Sequence, residues 1–281
     1  MPNETSPRPL VALVTGASSG IGAATARRLA REPEARLILV ARREQLLREL
    51  AESLPVPATY LAVDLVDDGA PARVLAHVQE HHDGLTLLVN NAGAAWRARF
   101  AEGGWANVQR TMAVNFDAAV RLTEALLPQL RASAPSAIVN VASTAGRVAR
   151  GGSAAYSASK FALAGWSDGL YAEERAHGVH VGLVLPGFIT TEGFPQKELV
   201  DRPLTRWLVS TPERAAEAIV DAGLRGRAER YVPRGYALAA AARILAPGLV
   251  RRVLSGGAAS VMITSTGADA AEREAATPAA D

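Results

Sequence analysis

The chain has 281 residues, 49% hydrophobic and 21% charged, with a formal net charge of +2. That is apolar material enough for one large α/β domain with a buried core and a short appendage, and too little net charge to make nucleic acid the main partner. Cysteine is absent, which excludes disulfides, thiolate catalysis and cysteine-ligated metals together.

Residues 1–9 are polar and Pro-rich and read as a flexible N-terminus, without the basic and apolar runs of a secretory signal. With no stretch of about 20 uninterrupted apolar residues, the expected location is cytoplasmic. From there, short β-branched and leucine-rich runs alternate with longer helix-period segments. Strands are predicted near 10–15, 36–41, 58–63, 85–90, 136–142, 179–185 and 229–232. Helices are predicted near 20–31, 43–53, 69–81, 104–131, 153–177 and 211–225. This alternation is the signature of an α/β fold with a doubly wound, seven-stranded parallel sheet and helices on both faces, spanning 10–233.

Local signals set several boundaries. Gly16 and Gly20 separate the first strand from its helix, Thr211-Pro212-Glu213 reads as N-cap, first helical position and acidic first turn, and Gly178 stands where a helix should stop. His77 and His81 share a helix face beside His82, but no third ligand of suitable type lies near in sequence, so no metal is expected. The stretch 188–210 lacks periodicity and contains Gly193, Pro195 and Pro203, which predicts a substrate loop or lid with short helices. Residues 234–264 form a helical C-terminal extension that Pro247-Gly248 divides, with Arg243, Arg251 and Arg252 among apolar residues at 236–254. Packing over the loop or against a second subunit is the favoured reading of that extension, and weak contact with a membrane surface is the alternative. Residues 265–281 have no apolar face and are expected to be disordered.

The chemistry concentrates in ordered motifs. Thr15-Gly16-Ala17-Ser18-Ser19-Gly20-Ile21-Gly22 follows a strand and opens a helix, so backbone N–H groups can approach a diphosphate at the helix N-terminus. Further on come Asp64-Leu65, Asn90-Asn91-Ala92-Gly93, Asn115, Ser143, Tyr156-x-x-x-Lys160 and Pro186-Gly187-Phe188-Ile189-Thr190-Thr191. Together, over about 10–232, this series resembles the short-chain dehydrogenase/reductase family.

The resemblance implies a Rossmann-type fold and an oxidoreductase acting on a CH–OH group with a nicotinamide cofactor. It implies cofactor contacts from Gly16, Ser18, Ser19, Gly20, Ile21 and Gly22 on the glycine turn. Asp64 and Leu65 would lie toward the adenine, and Asn91, Ala92, Gly93, Pro186, Ile189 and Thr191 further along the cofactor. Tyr156 would exchange the proton with the carbonyl oxygen, and Lys160 would also bond the nicotinamide ribose. Ser143 would polarise the substrate oxygen, though it also reads as a turn cap. Asn115 would position a water that relays protons toward Lys160.

Two readings come from the residues themselves. Arg42 and Arg43 end the second strand, where an NAD site would carry an acid, and a guanidinium pair there favours the 2′-phosphate of NADP(H) over NAD(H). Tyr156 and Lys160 are four apart on one helix, and an ammonium about 4 Å from the phenol would favour phenolate by up to roughly 4 kcal/mol at an effective dielectric of about 20. The chain has only two lysines, Lys160 and Lys197.

Ala94-Ala95-Trp96, Thr144 to Arg150, Phe188, Phe194, Leu204 and Trp207 are expected to line an apolar pocket for a small-molecule carbonyl or alcohol. Arg147 and Arg150 read mainly as surface charges and alternatively as ligands of an anionic tail. A homo-oligomer, dimer or tetramer, is expected. The competing functions are an NADPH-binding sensor or scaffold without turnover, and an isomerase or dehydratase on the same fold.

Overall fold

The strands of the main sheet are β1 (Val11–Thr15), β2 (Arg36–Ala41), β3 (Ala58–Ala62), β4 (Leu87–Asn90), β5 (Ser136–Val141), β6 (Val179–Pro186) and β9 (Glu229–Val232). They pair parallel in the order β3-β2-β1-β4-β5-β6-β9. The computed structural model describes residues 9–190 and 208–255. The expectations for Thr191, Phe194, Leu204, Trp207, the start of the chain and the 265–281 tail therefore fall outside the described residues.

Register follows from burial on both faces of the sheet. Leu13 pairs with Ile38 on one side and Leu88 on the other, and all three point into one core. Val14, Leu39 and Val89, one residue along, point into the opposite core. A slip of one residue would exchange these sets, so the period of two fixes the pairing.

Helices follow as α1 (Gly20–Leu29), α2 (Glu44–Ser53), α3 (Ala70–His81), α4 (Phe100–Met112), α5 (Ala118–Ala132), α6 (Ala154–Glu174), α7 (Pro212–Gly223), α8 (Tyr236–Leu245) and α9 (Pro247–Ser255). Helices α1, α2 and α7 cover one face through Ala26, Leu29, Leu47, Leu50 and Ile219. Helices α3, α5 and α6 cover the other through Val74, Val78, Leu122, Leu126 and Leu170. Small residues let α7 sit close to the sheet: a Cβ added at Gly182 on β6 would fall 2.9 Å from the Ala222 Cβ.

Departures from the sequence reading have local causes. The single helix expected at 104–131 is α4, a π-helical turn at Ala113–Asp117 and α5. It begins at Phe100 and bends at Gly104, whose φ of +51° only glycine adopts readily. Periodicity registers neither feature. Most of the 188–210 segment, expected to carry short helices, lies outside the described residues; its described ends pair as two-residue parallel strands, β7 (Phe188–Ile189) and β8 (Val209–Ser210), too short for alternation to signal. Helix α6 continues into a 3-10 turn at Arg175–His177, and Gly178 takes the left-handed position with φ +73°. The Thr211 hydroxyl accepts from the Arg214 N–H at 3.4 Å, as an N-cap does.

His77 and His82 each lie within hydrogen-bonding distance of the Thr59 hydroxyl, at 3.0 and 3.2 Å, and His81 stacks on His77. Leu238, Ile244 and Leu245 are exposed on the outer side of α8. Among the described residues no helix is long and apolar enough to cross a membrane.

Leu126 is fully buried between α5 and the sheet, whereas Leu238 is 77% exposed. Leu126→Ala should lower the unfolding free energy by about 2–5 kcal/mol, and Leu238→Ala by less than about 0.5 kcal/mol, as read from urea titrations. Equal losses would contradict this assignment of the core.

Candidate functional site

Strand order reverses between β1 and β4, which opens a crevice at their C-terminal ends. The two ends are tied together there. The Thr15 hydroxyl donates to the Val89 carbonyl at 3.2 Å and accepts from the N–H groups of Asn91 and Ala92, each at 2.9 Å. The Asn91 side chain donates to the Thr15 carbonyl at 2.8 Å. Asn91 thus lines the crevice but spends its amide on bracing the glycine turn.

The turn has the shape of a phosphate cradle. Gly16 and Gly20 have φ of +65° and +55°. Gly22 permits a closer approach still, since a Cβ there would lie 2.2 Å from the Gly16 carbonyl oxygen. Ser19 is the N-cap of α1, yet its side chain caps no N–H, and Gly20 and Ile21 border the crevice. Uncapped N–H groups at a helix N-terminus suit an anion.

Beside this turn the side chains are basic and hydroxylic. Arg43 Nη2 donates to Ser19 Oγ at 2.6 Å and to Ser18 Oγ at 3.1 Å, and Nε donates to Ser18 Oγ at 3.2 Å. Arg42 is largely exposed and lies 3.7 Å from Asp64 Oδ2, while Asp64 Oδ1 accepts from the Val66 N–H. Leu65 packs at the edge of the α3–α5–α6 core. None of Ser18, Arg42, Arg43, Asp64 or Leu65 borders the main cavity described next.

That cavity, of about 720 Å³, brings Ser143, Tyr156 and Lys160 together with Gly16, Gly93 and Ile189. Ser143 caps the 3-10 turn Thr144–Gly146 by accepting from the Ala145 N–H at 3.1 Å, and donates to the Pro186 carbonyl at 3.3 Å. Ser143 is thus the turn cap that one sequence reading made it, and it also borders the cavity. Lys160 is buried and donates from Nζ to the Val141 carbonyl at 2.9 Å. Gly93 leaves the room this needs, because a Cβ there would meet Asn115 Oδ1 at 2.8 Å and Lys160 Nζ at 3.4 Å.

Burial weighs on both members of the Tyr156–Lys160 pair. It pulls the Lys160 ammonium down to about 8, with Nζ 5.9 Å from the centre of the Tyr156 ring. Burial pushes the Tyr156 phenol above its ordinary value, and the groups opposing that rise are the Ser143 hydroxyl, Arg97 and Arg150. Desolvation outweighs the nearby positive charge.

Asn115 sits in the π-helical turn with its amide fully engaged. Nδ2 donates to the Ala94 carbonyl and Ser159 Oγ, and Oδ1 accepts from the Ala94 N–H at 2.8 Å. Its side chain fastens the 91–99 loop to α6, a use the water-holding expectation missed. Arg147 is held by Glu229 at 3.0 Å and faces Asp168 at 3.7 Å, so its charge is already balanced.

Among the cavity residues that escaped sequence reasoning are Arg97 and Tyr236. Arg97 stands one position past Ala94-Ala95-Trp96. Tyr236 opens α8, and its ring covers Gly187, where a Cβ would lie 2.3 Å from Cε2. The glycine of Pro186-Gly187 was its available signal.

The family model for short chain dehydrogenase matches residues 10–199. The chain is 32% identical over 213 residues to a ketoacyl reductase, HetN, of Nostoc, covering 75% of this chain and 74% of that protein. It is 34% identical over 189 residues to a dehydrogenase/reductase SDR family protein 7-like of Drosophila melanogaster, covering 65% of this chain and 58% of that one. Among solved structures, L-sorbose reductase from Gluconobacter frateurii, complexed with NADPH and L-sorbose, aligns with a TM-score of 0.71 at 29% identity. That alignment covers 79% of this chain and 94% of the other.

Lys160 gives a pH signature. Between about 8 and its ordinary 10.5 the folded chain has lost this proton while the unfolded chain keeps it. The unfolded state then binds more protons, and stability rises with pH. For the cofactor-free protein, the unfolding free energy of wild type minus Lys160→Met should be flat below about pH 8 and climb in wild type's favour up to about 10.5. A difference constant across that range would show ordinary acidity.

Proposed function

The chain belongs to the short chain dehydrogenase family, and on that premise we propose that it interconverts a carbonyl and an alcohol on an apolar small molecule, using NADP(H) in preference to NAD(H). The observation that carries this reading is the convergence of Ser143, Tyr156 and Lys160 on one cavity wall beside the glycine turn. When bound, the nicotinamide supplies or accepts the hydride. The Gly16–Gly22 turn and the α1 N-terminus would hold its diphosphate, and Asp64 and Leu65 would border its adenine end. Asn91, Ala92, Gly93, Pro186 and Ile189 would border its nicotinamide half.

Ser143 directs its hydroxyl at the substrate oxygen and draws electron density from the carbonyl carbon. Tyr156 gives that oxygen a proton in reduction and removes it in oxidation. Lys160, with its value near 8, carries a positive charge at neutral pH and stabilises the phenolate left behind. Asn115 acts at one remove, as the fastening that keeps the 91–99 loop against α6.

Preference for NADP(H) rests on the Arg42–Arg43 corner. Arg43 already bridges the Ser18 and Ser19 hydroxyls, so a 2′-phosphate would find a guanidinium and two hydroxyls in place. The reductase neighbour complexed with NADPH supports the same choice.

Two variants separate chemistry from cofactor choice. Tyr156→Phe should leave NADPH affinity near wild type, by fluorescence titration, and lower ketone turnover by about 10²–10⁴-fold; retained turnover rules out the acid/base role. Arg43→Ala should reduce the ratio of kcat/KM for NADPH over NADH by roughly 10- to 100-fold, the equivalent of one charge-assisted hydrogen bond. An unchanged ratio would remove Arg43 from cofactor selection.

A further inference from the structure

Among the described residues, the cavity around Tyr156 is bordered by Arg97, Arg147, Arg150 and Lys160, and by no aspartate or glutamate. Arg147 is balanced by Glu229 and Asp168, and Lys160 is turned onto the Val141 carbonyl. Arg97 and Arg150 are a pair of like charges flanking the reacting tyrosine. Burial and mutual repulsion act against the charge on both, a cost that an incoming anion would offset. Both are positioned in advance: the Arg150 guanidinium stacks 4.7 Å above the Phe188 ring, and Arg97 is held by interactions within the protein. Val148, Phe188, Leu208 and Leu254 give the wall beside them an apolar surface.

We infer that Arg97 and Arg150 form an anion subsite, so that the substrate carries a carboxylate or phosphate on an apolar body in addition to its carbonyl or alcohol. A planar guanidinium pair recognises either oxyanion by charge-assisted, bidentate bonds. The inference rests on the oxidoreductase reading only in placing the carbonyl at Tyr156. It also reassigns the sequence's anionic-tail candidate: Arg97, three residues after Ala94, takes the place given to Arg147.

Calorimetry on the NADPH-bound protein tests it without recourse to turnover, and so independently of the redox chemistry. The probes are nonanoate, octyl phosphate and neutral 2-nonanone. At least one anion should bind roughly tenfold or more tightly than the ketone, and whichever does so identifies the preferred oxyanion. Arg150→Met and Arg97→Met, each keeping an apolar stem, should each reduce that advantage roughly 10- to 100-fold. Should one variant fail to fold, the other carries the comparison, and the wild-type ranking stands alone. The inference is overturned if 2-nonanone binds as tightly as both anions. It is equally overturned if the substitutions weaken NADPH as much as the anion, which would make the two arginines ligands of the cofactor's phosphates.

Discussion

The Thr15 hydroxyl joins the two strand ends between which the crevice opens. It donates to β4 and accepts from the two N–H groups that follow it, while Asn91 returns a bond to the Thr15 carbonyl. Where the order of a parallel sheet reverses, the chain leaves the two neighbouring strands toward opposite faces, and here the paired strands β1 and β4 are further tied at their C-terminal ends by one buried hydroxyl and one amide. The glycine turn on one side and the Gly93 loop on the other are consequently fixed relative to each other. Gly93 in turn sits against Asn115 and Lys160, so Lys160 is positioned through the same chain of contacts.

The tyrosine at the centre of the site is governed by opposing electrostatic effects. Enclosure favours the neutral phenol, and two guanidiniums and a serine hydroxyl favour phenolate. The lysine that the sequence made the dominant cation is itself weakened by burial to about 8. Charge in this cavity is thus supplied from loops after β4 and β5 as well as from α6. The cavity arginines can therefore tune the acidity of Tyr156, the proposed acid/base.

The strands, their parallel order and the helices of both faces were legible because burial on both sides imposes periods that a sequence carries openly. Leu13, Ile38 and Leu88 fall together for that reason. The motif residues Gly16, Ser143, Tyr156 and Lys160 were legible as a set, since each follows a strand end or shares a helix turn. What escaped depends on distance in space. Nothing in the sequence says that Arg147 meets Glu229, 82 positions away, or that Asn115 reaches Ala94. The bend at Gly104 and the π-helical turn around Asn115 shift a helix by a fraction of a turn, below the resolution of any apolar period.

Tyr236 lies flat over Gly187 and bonds through its hydroxyl to the Leu208 carbonyl at 3.1 Å, and Ala239, Ala240 and Leu254 extend the same wall. All of these lie beyond residue 199, where the family match ends. The roof of the chamber thus stands apart in sequence from its floor: replacing the C-terminal helices would change the size and greasiness of what is admitted without touching Ser143, Tyr156 or Lys160 beneath.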